Sequence, residues 1–463
     1  MKRRTLLALL AVMALHAVAI DVVSTAGSLS SKITDRNISE LRVSGTMNAV
    51  DFYFITDNLH QLTSIDLADV TVLACQINGM RYFVSEFAAD ELPVAACGGL
   101  GLTSVVLPRG LKSLGKGALA GCDRLTSITL PPSLEQVGDY AFAGCSALTQ
   151  VVLPASVSTV GNGAFMRCTA LKSLTVEPSS NLILVGDMAL MDCPSLQTLN
   201  LGTALQSMGE RALAGSGLRE INLAEHRSLT NIGDWAMVLT PVEQAVLPAG
   251  LTTLGDGAFL YDTQLTGIDL GNKLSVMSDY LLAGTGLEGE LALSATKRMG
   301  DYALYNVSSL STVTLPSTMN WLGDSAMAGM TGMKTLTSQA VKVPDLGQNV
   351  WAGVDQPSVL LTVPVSSTSY YKQADQWRDF MFKNVGVLGD VNADGEVNLA
   401  DINALIDIIL TGRADEDTMA RADVNADGEI NVADVNFLIN LIMKGNGAST
   451  LISPKKAKKH GKK

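Results

Sequence analysis

The stretch DVNADGEVNLAD at residues 390–401 returns as DVNADGEINVAD at 423–434. In both copies oxygen-bearing side chains stand at positions 1, 3, 5, 9 and 12, with glycine at position 6. A twelve-residue loop wraps a calcium ion in this way. Alternate side chains turn inward, glycine permits the sharp bend, and position 7 offers its backbone carbonyl. The first set is Asp390, Asn392, Asp394, Glu396 through its carbonyl, Asn398 and Asp401, with the bend at Gly395. The second is Asp423, Asn425, Asp427, Glu429, Asn431 and Asp434, with the bend at Gly428. Between Asp390 and Gly445 twelve Asp and Glu stand against three Lys and Arg, a net charge of −9. A stretch this short and this acidic repels itself and calls for counter-ions, here one Ca2+ per loop.

The elements around the loops narrow the reading. Each loop leads into an apolar helical stretch, ADINALIDIILTG (400–412) and ADVNFLINLIMKG (433–445). An EF-hand would add a helix before each loop and Glu at position 12. Here FKNVGVLG (382–389) precedes the first loop, and Asp401 and Asp434 hold position 12. Loop-helix, linker, loop-helix resembles a dockerin domain, covering 389–446. The resemblance implies calcium-coupled folding of a small α-helical module and docking onto a cohesin-like module, in either of two orientations. It also implies where contact is made. The best-known clostridial dockerins place a Ser-Thr pair at positions 10 and 11; this chain has Leu399-Ala400 and Val432-Ala433. That departure points to an apolar contact.

Upstream the rhythm changes. LTSVVLPRGLKSLGKGALAGC (102–122), LTSITLPPSLEQVGDYAFAGC (125–145) and LTQVVLPASVSTVGNGAFMRC (148–168) share one unit, and its glycine recurs from Gly115 to Gly323. A period in the twenties with Leu at fixed slots marks a leucine-rich repeat. The alternating L-x-x-[IV]-x-L run predicts a short strand with one apolar side. Gly is expected to supply a turn, and the Asp or Asn after it to cap a short helical segment. One coil cannot bury its own apolar side, so stacked coils must share a core. The units resemble BspA-like leucine-rich repeats of bacterial surface proteins, over 33–388. Divergent entry repeats are similar to 38–72, and the closing cap of such proteins to 360–380. The expected fold class is thus an α/β-repeat leucine-rich-repeat solenoid followed by the α-helical dockerin module.

Other features are read against this frame. Cys97, Cys122, Cys145, Cys168 and Cys193 share a slot that later coils fill with Ser216, Thr240, Thr285, Val307 and Met330. A slot open to Val and Met is a packing slot, so buried free thiols are expected; a bridge involving Cys75 is the alternative. Asp139, Asp187, Asp234, Asp256, Asp279, Asp301 and Asp324 form a column after the glycine, read as caps rather than as a glycosidase pair. Tyr140, Trp235, Tyr280 and Tyr302 in the next slot are read as packing. The strand's outward slots, among them Val106, Thr129, Val152 and Thr175, describe a flat face almost without charge, suited to protein contact.

No catalytic constellation is present. His60, His226 and His460 stand away from any nucleophile pattern, and neither a H-E-x-x-H nor a phosphate-cradling loop occurs. The net charge of −12 argues against nucleic acid. Residues 1–19 read as a secretory signal with cleavage after Ala19, because the apolar run is short of the ~20 residues a bilayer requires. Six lysines in 454–463 read as a solvated tail within 447–463. The whole predicts a secreted or cell-surface, non-enzymatic interaction protein. By resemblance the solenoid would bind host matrix or bacterial surface proteins; the alternative is an accessory subunit of a polysaccharide-degrading complex.

Overall fold

The computed structural model describes residues 18–81, 84–383, 388–394, 396–425 and 427–443. Residues 1–17 of the segment read as a secretory signal, Gly395 and the lysine-rich tail lie outside them. The chain forms a parallel β-solenoid of about 15 turns with a small helical region at its C-terminal end. It divides into two compact units. One runs to Leu287 and takes in Tyr302–Val307; the other comprises Glu288–Asp301 and continues from Ser308.

In the first unit most of the repeat coils contribute two strands. The L-x-x-[IV]-x-L runs pair in parallel and in register, Val151 beside Leu174 and Leu174 beside Leu199. Val151 and Leu174 are buried and Leu199 is half-buried, and Leu102, Leu125, Leu148, Leu171 and Leu196 at the head of each unit are buried. The ladder starts ahead of residue 33: Ala19–Ser24 pairs with Glu40–Met47, which pairs with Ser64–Val72. A second ladder, made of two-residue strands just before the repeat glycines, runs unbroken through eight coils from Glu91–Leu92 to Thr253–Leu254. The first ladder, by contrast, is interrupted three times: between Ser104–Val106 and Gln150–Leu153, where the bridge Val106–Thr129 remains, between Thr198–Asn200 and Glu220–Asn222, and between Gly267–Asp269 and Gly289–Ala292.

The segment after the glycine is not helical. Gly117, Leu119 and Gly121 donate their N–H groups to Asp139, Ala141 and Ala143 of the next coil. The alternate N–H groups of Ala118, Ala120 and Cys122 close turns on their own coil. Such alternation demands left-handed residues, which no α-helix contains. Tyr140 (φ 54°), Met188 (φ 54°) and Trp235 (φ 50°) adopt that conformation where other coils have glycine. The short helical segment expected for each coil is therefore replaced by a ladder of tight turns, which satisfies the backbone between coils rather than within one.

Two further expectations change with it. The Asp column does not cap helices. The Oδ1 atom of each member accepts the N–H of its counterpart one coil on: Asp139 from Asn162 (2.8 Å), Asn162 from Asp187 (2.8 Å), Asp187 from Glu210 (2.8 Å), and Asp234 from Asp256 (2.9 Å). Nor is the repeat glycine there for its φ. A Cβ on Gly138 would overlap the Leu114 carbonyl oxygen, and one on Gly186 would press on Asn162 Oδ1.

The cysteines are free thiols, five of them buried. Cys122, Cys145, Cys168 and Cys193 each donate Sγ–H to a carbonyl of the coil before, at 3.2 Å. Burial pushes the Cys97, Cys145 and Cys193 thiols up to about 12, which keeps them from the thiolate state. The same slot holds Asp262, fully buried, whose carboxyl accepts from Thr240 N (2.7 Å) and Thr240 Oγ1 (3.1 Å).

In the second unit Gly289–Ala292, Leu310–Leu315, Thr335–Ser338, Leu360–Thr362 and Met381–Phe382 continue a parallel ladder. Edge-to-face rings close it, Trp351 against Trp377 (5.2 Å) and Phe380 (5.0 Å), and Tyr371 against Trp377 (5.1 Å). Tyr371 Oη donates to Ala340 O at 2.9 Å. The C-terminal region consists of the helices Leu399–Thr411, Glu416–Ala422 and Val432–Met443. Its core is small: Val391, Leu405, Ile408, Ala422, Val424 and Leu438.

Two outcomes are expected. Thiol labelling of the denatured chain without reductant should find at least four of the six cysteines free; two or fewer would mean bridged coils. Burial also lifts the Asp262 carboxyl to about 7 from an ordinary 3.8. A raised carboxyl value means that the folded chain holds the proton more tightly than the unfolded one. The associated stability is full below 3.8 and lost as pH rises through about 7. Wild type should thus lose up to about 2–4 kcal/mol across that window relative to Asp262→Asn, read from urea midpoints at several pH values.

Candidate calcium and docking site

The helix Leu399–Thr411 starts at Asn398, whose side chain accepts from Ala400 N (2.7 Å), while Asp401 reaches back to Asn398 N (2.8 Å). This reciprocal cap fixes the loop's last ligand position against its ninth. The other Asp401 oxygen accepts from Asn392 N at 3.1 Å. Asp390 Oδ1 accepts from Asp394 N at 3.0 Å, and Asn392 Oδ1 accepts from the same N–H at 2.9 Å. Asp394 Oδ1 accepts from Glu396 N at 2.9 Å. The first loop thus brings Asp390, Asn392, Asp394 and Asp401 together, with Glu396 following in the chain and exposed.

The second loop repeats this geometry. Asp434 accepts from Asn425 N (3.1 Å) and Asn431 N (2.9 Å). Asp423 Oδ1 accepts from Asp427 N (3.1 Å), and Asp427 Oδ1 from Glu429 N (2.9 Å). Gly428 at the bend adopts φ 89°, which a side chain would strain. Among the described residues no three His, Cys, Asp or Glu side chains converge as a metal cluster. The donor chemistry nonetheless fits calcium: hard oxygen atoms only, mixing carboxylate, amide and carbonyl. Asp401 and Asp434 are fully buried, and no Lys, Arg or His pairs with either among the described residues. A buried carboxylate without a countercharge is costly, and a bound cation removes that cost.

The four residues expected to touch a partner are exposed, Leu399 and Val432 strongly so. Sequence reasoning missed their continuation. Ile406 and Leu410 lie 7 and 11 residues beyond Leu399, and Ile439 and Met443 stand at the same steps from Val432. All four are exposed, and helical spacing places each set on one face. The signal was available in that spacing together with the 33-residue offset.

On the solenoid, Val106 and Val152 project from the strand face. At the first interruption of the ladder a groove of about 580 Å3 opens among residues that include Val106, Arg109, Thr129, Pro131 and Pro132.

The repeat region matches the family model of the BspA type leucine rich repeat region, in six copies over 92–216, 183–291 and 290–365. The chain belongs to this BspA-type leucine-rich-repeat family. Residues 388–443 match the dockerin type I domain, a domain that binds calcium. Repeat and dockerin are both non-catalytic modules. A leucine-rich repeat protein from Bacteroides ovatus shares 20% identity at a TM-score of 0.54, with 80% of this chain and 92% of that one covered. A leucine rich cell surface protein from Faecalibacterium prausnitzii shares 18% identity (57% and 86% covered, TM-score 0.31). The pneumococcal vaccine antigen PcpA shares 15% (70% and 67% covered, TM-score 0.33). No curated protein matches the chain. Among the described residues no helix of this BspA-type protein is long and apolar enough to cross a membrane.

Asp401→Asn keeps the shape of the loop's terminal ligand and removes its charge. Calcium titration by calorimetry should then show one site weakened by about tenfold or more, since ligand charge tunes affinity in such loops. An unchanged isotherm would remove Asp401 from the ligand set.

Proposed function

We propose that the chain is an exported, non-enzymatic interaction protein, in which the solenoid presents a binding surface and the dockerin attaches it to a cohesin-type partner. The observation that carries this reading is the doubled loop: the same hydrogen bonds in both copies around a buried carboxylate with which no basic side chain pairs among the described residues. Two Ca2+ ions, one per loop, offset part of the charge of −9 and tie each loop to its helix. Asp390, Asn392, Asp394, Asn398 and Asp401 hold the first through side chains and Glu396 through its carbonyl; Asp423, Asn425, Asp427, Asn431, Asp434 and Glu429 hold the second in the same roles.

The docking surface comprises Leu399, Ala400, Val432 and Ala433, extended along the helices by Ile406, Leu410, Ile439 and Met443. The strand face of the solenoid, whose outward slots Val106, Thr129, Val152 and Thr175 carry no charge, suits a protein ligand on a host matrix or a neighbouring cell. The leader-like N-terminal sequence and the two module types support an extracellular or cell-surface location.

The test uses the full chain. In EDTA the helical signal of the dockerin and binding to a recombinant cohesin should be lost, while the β signal and main melting transition of the solenoid persist. Asp390→Ala combined with Asp423→Ala should reproduce the EDTA result in calcium buffer. A chain that keeps both helical signal and cohesin binding in EDTA would remove calcium from the reading.

A further inference from the structure

The two dockerin helices expose nearly the same surface, and the exposures match pair by pair: Leu410 78% and Met443 81%, Ile406 41% and Ile439 40%. Among the exposed residues of the two helices, one difference in charge separates them. Asp407, on the exposed side of the first helix, becomes Asn440 on the last. The Asp407 carboxylate forms no ion pair among the described residues, whereas Asn440 Nδ2 donates to Asn436 O at 2.8 Å. Neither helix carries a Lys or Arg. Within these helix bounds the exposed surfaces therefore match at their apolar pairs and differ in charge by one unit, beside Ile406 and Ile439, while in the sequence Lys444 follows the second helix where Thr411 ends the first.

Resting on the dockerin reading above, we infer that Asp407 decides which helix face is engaged. A partner whose docking surface is apolar with a basic rim takes the Leu399–Thr411 face; one with an acidic rim takes the Val432–Met443 face. Charge complementarity supplies the commitment to the first kind. The module is acidic as a whole, with −9 before any calcium binds, so its field draws basic-rimmed surfaces and repels acidic ones or a second copy of itself. Two equivalent apolar stripes would leave the orientation undecided. A single rim carboxylate shifts the balance by about two- to fivefold, the range that exposed ion pairs supply.

The experiment measures binding of the full chain, in calcium, to a recombinant cohesin with a basic docking rim. Ile406→Asp disables one face and Ile439→Asp the other, with helical signal checked for both. Ile406→Asp should weaken binding about two- to fivefold more than Ile439→Asp. That preference should shrink at high salt, and Asp407→Asn should abolish it. Adding Asn440→Asp to Asp407→Asn should reverse the order. Equal effects of the two isoleucine variants in the wild-type background would overturn the inference while leaving the dockerin reading intact. So would a preference that survives Asp407→Asn. Absence of any wild-type binding to cohesins would instead overturn the dockerin reading, and the inference with it.

Discussion

At the repeat glycine the backbone of one coil lies so close to the backbone of the coil before it that no methyl group fits between them. That approach sets the separation at which every other contact in the solenoid operates. It lets Gly138 N donate to Leu114 O at 2.9 Å and Gly161 N to Val137 O at 2.7 Å, and it carries the turn ladder into register behind them. The Asp column lies on the same line, each carboxylate taking the next coil's N–H. Side chains then stack because the backbones do: Phe142 lies on Phe165 with rings 5.2 Å apart and nearly parallel, and the thiols repeat at one slot. A side chain at Gly138 would loosen this spacing, and stability in such an array passes from neighbour to neighbour.

The period, the strands facing the core and the closing cap were all readable before the structure, because each imposes a pattern long enough to register. The second ladder was not. A two-residue strand such as Ser113–Leu114 has no alternation to read, and it exists only because its counterparts lie beside it. The turns misled for a related reason. Gly-Asp-x-Ala-Phe is good helix-start chemistry for an isolated segment, but here the N–H groups find partners in the next coil and Tyr140 is driven to positive φ. Tertiary hydrogen bonding outweighs a local preference worth well under ~1 kcal/mol per residue. Asp262 escaped notice because an acid in an apolar slot breaks the pattern that defines the slot; only its burial against Thr240 gives it meaning.

The acidic loops lie at the other extreme. Their constraint is local, since twelve consecutive residues must surround one point, and so their residue types could be assigned from spacing alone. The structure adds the reciprocal cap at Asn398 and Asp401, which uses one carboxylate both to start a helix and to end a loop. The proposed docking face required two kinds of information. Leu399 and Val432 follow from their places in the loops, whereas Leu410 and Met443 emerge only when helical spacing is combined with exposure.

These differences follow from how each part meets its need for burial. A solenoid coil covers its apolar side with identical neighbours, so more coils give more core and no cation is required. The dockerin has six buried core residues and three short helices, too little apolar surface to hold a chain of −9 together. On the proposed reading its loops draw on an external charge, and its order then depends on calcium. Joining an unconditional scaffold to a conditional attachment separates two properties that a single core would link. On the proposed reading, loss of the ion would release the partner and leave the stacked coils as they were.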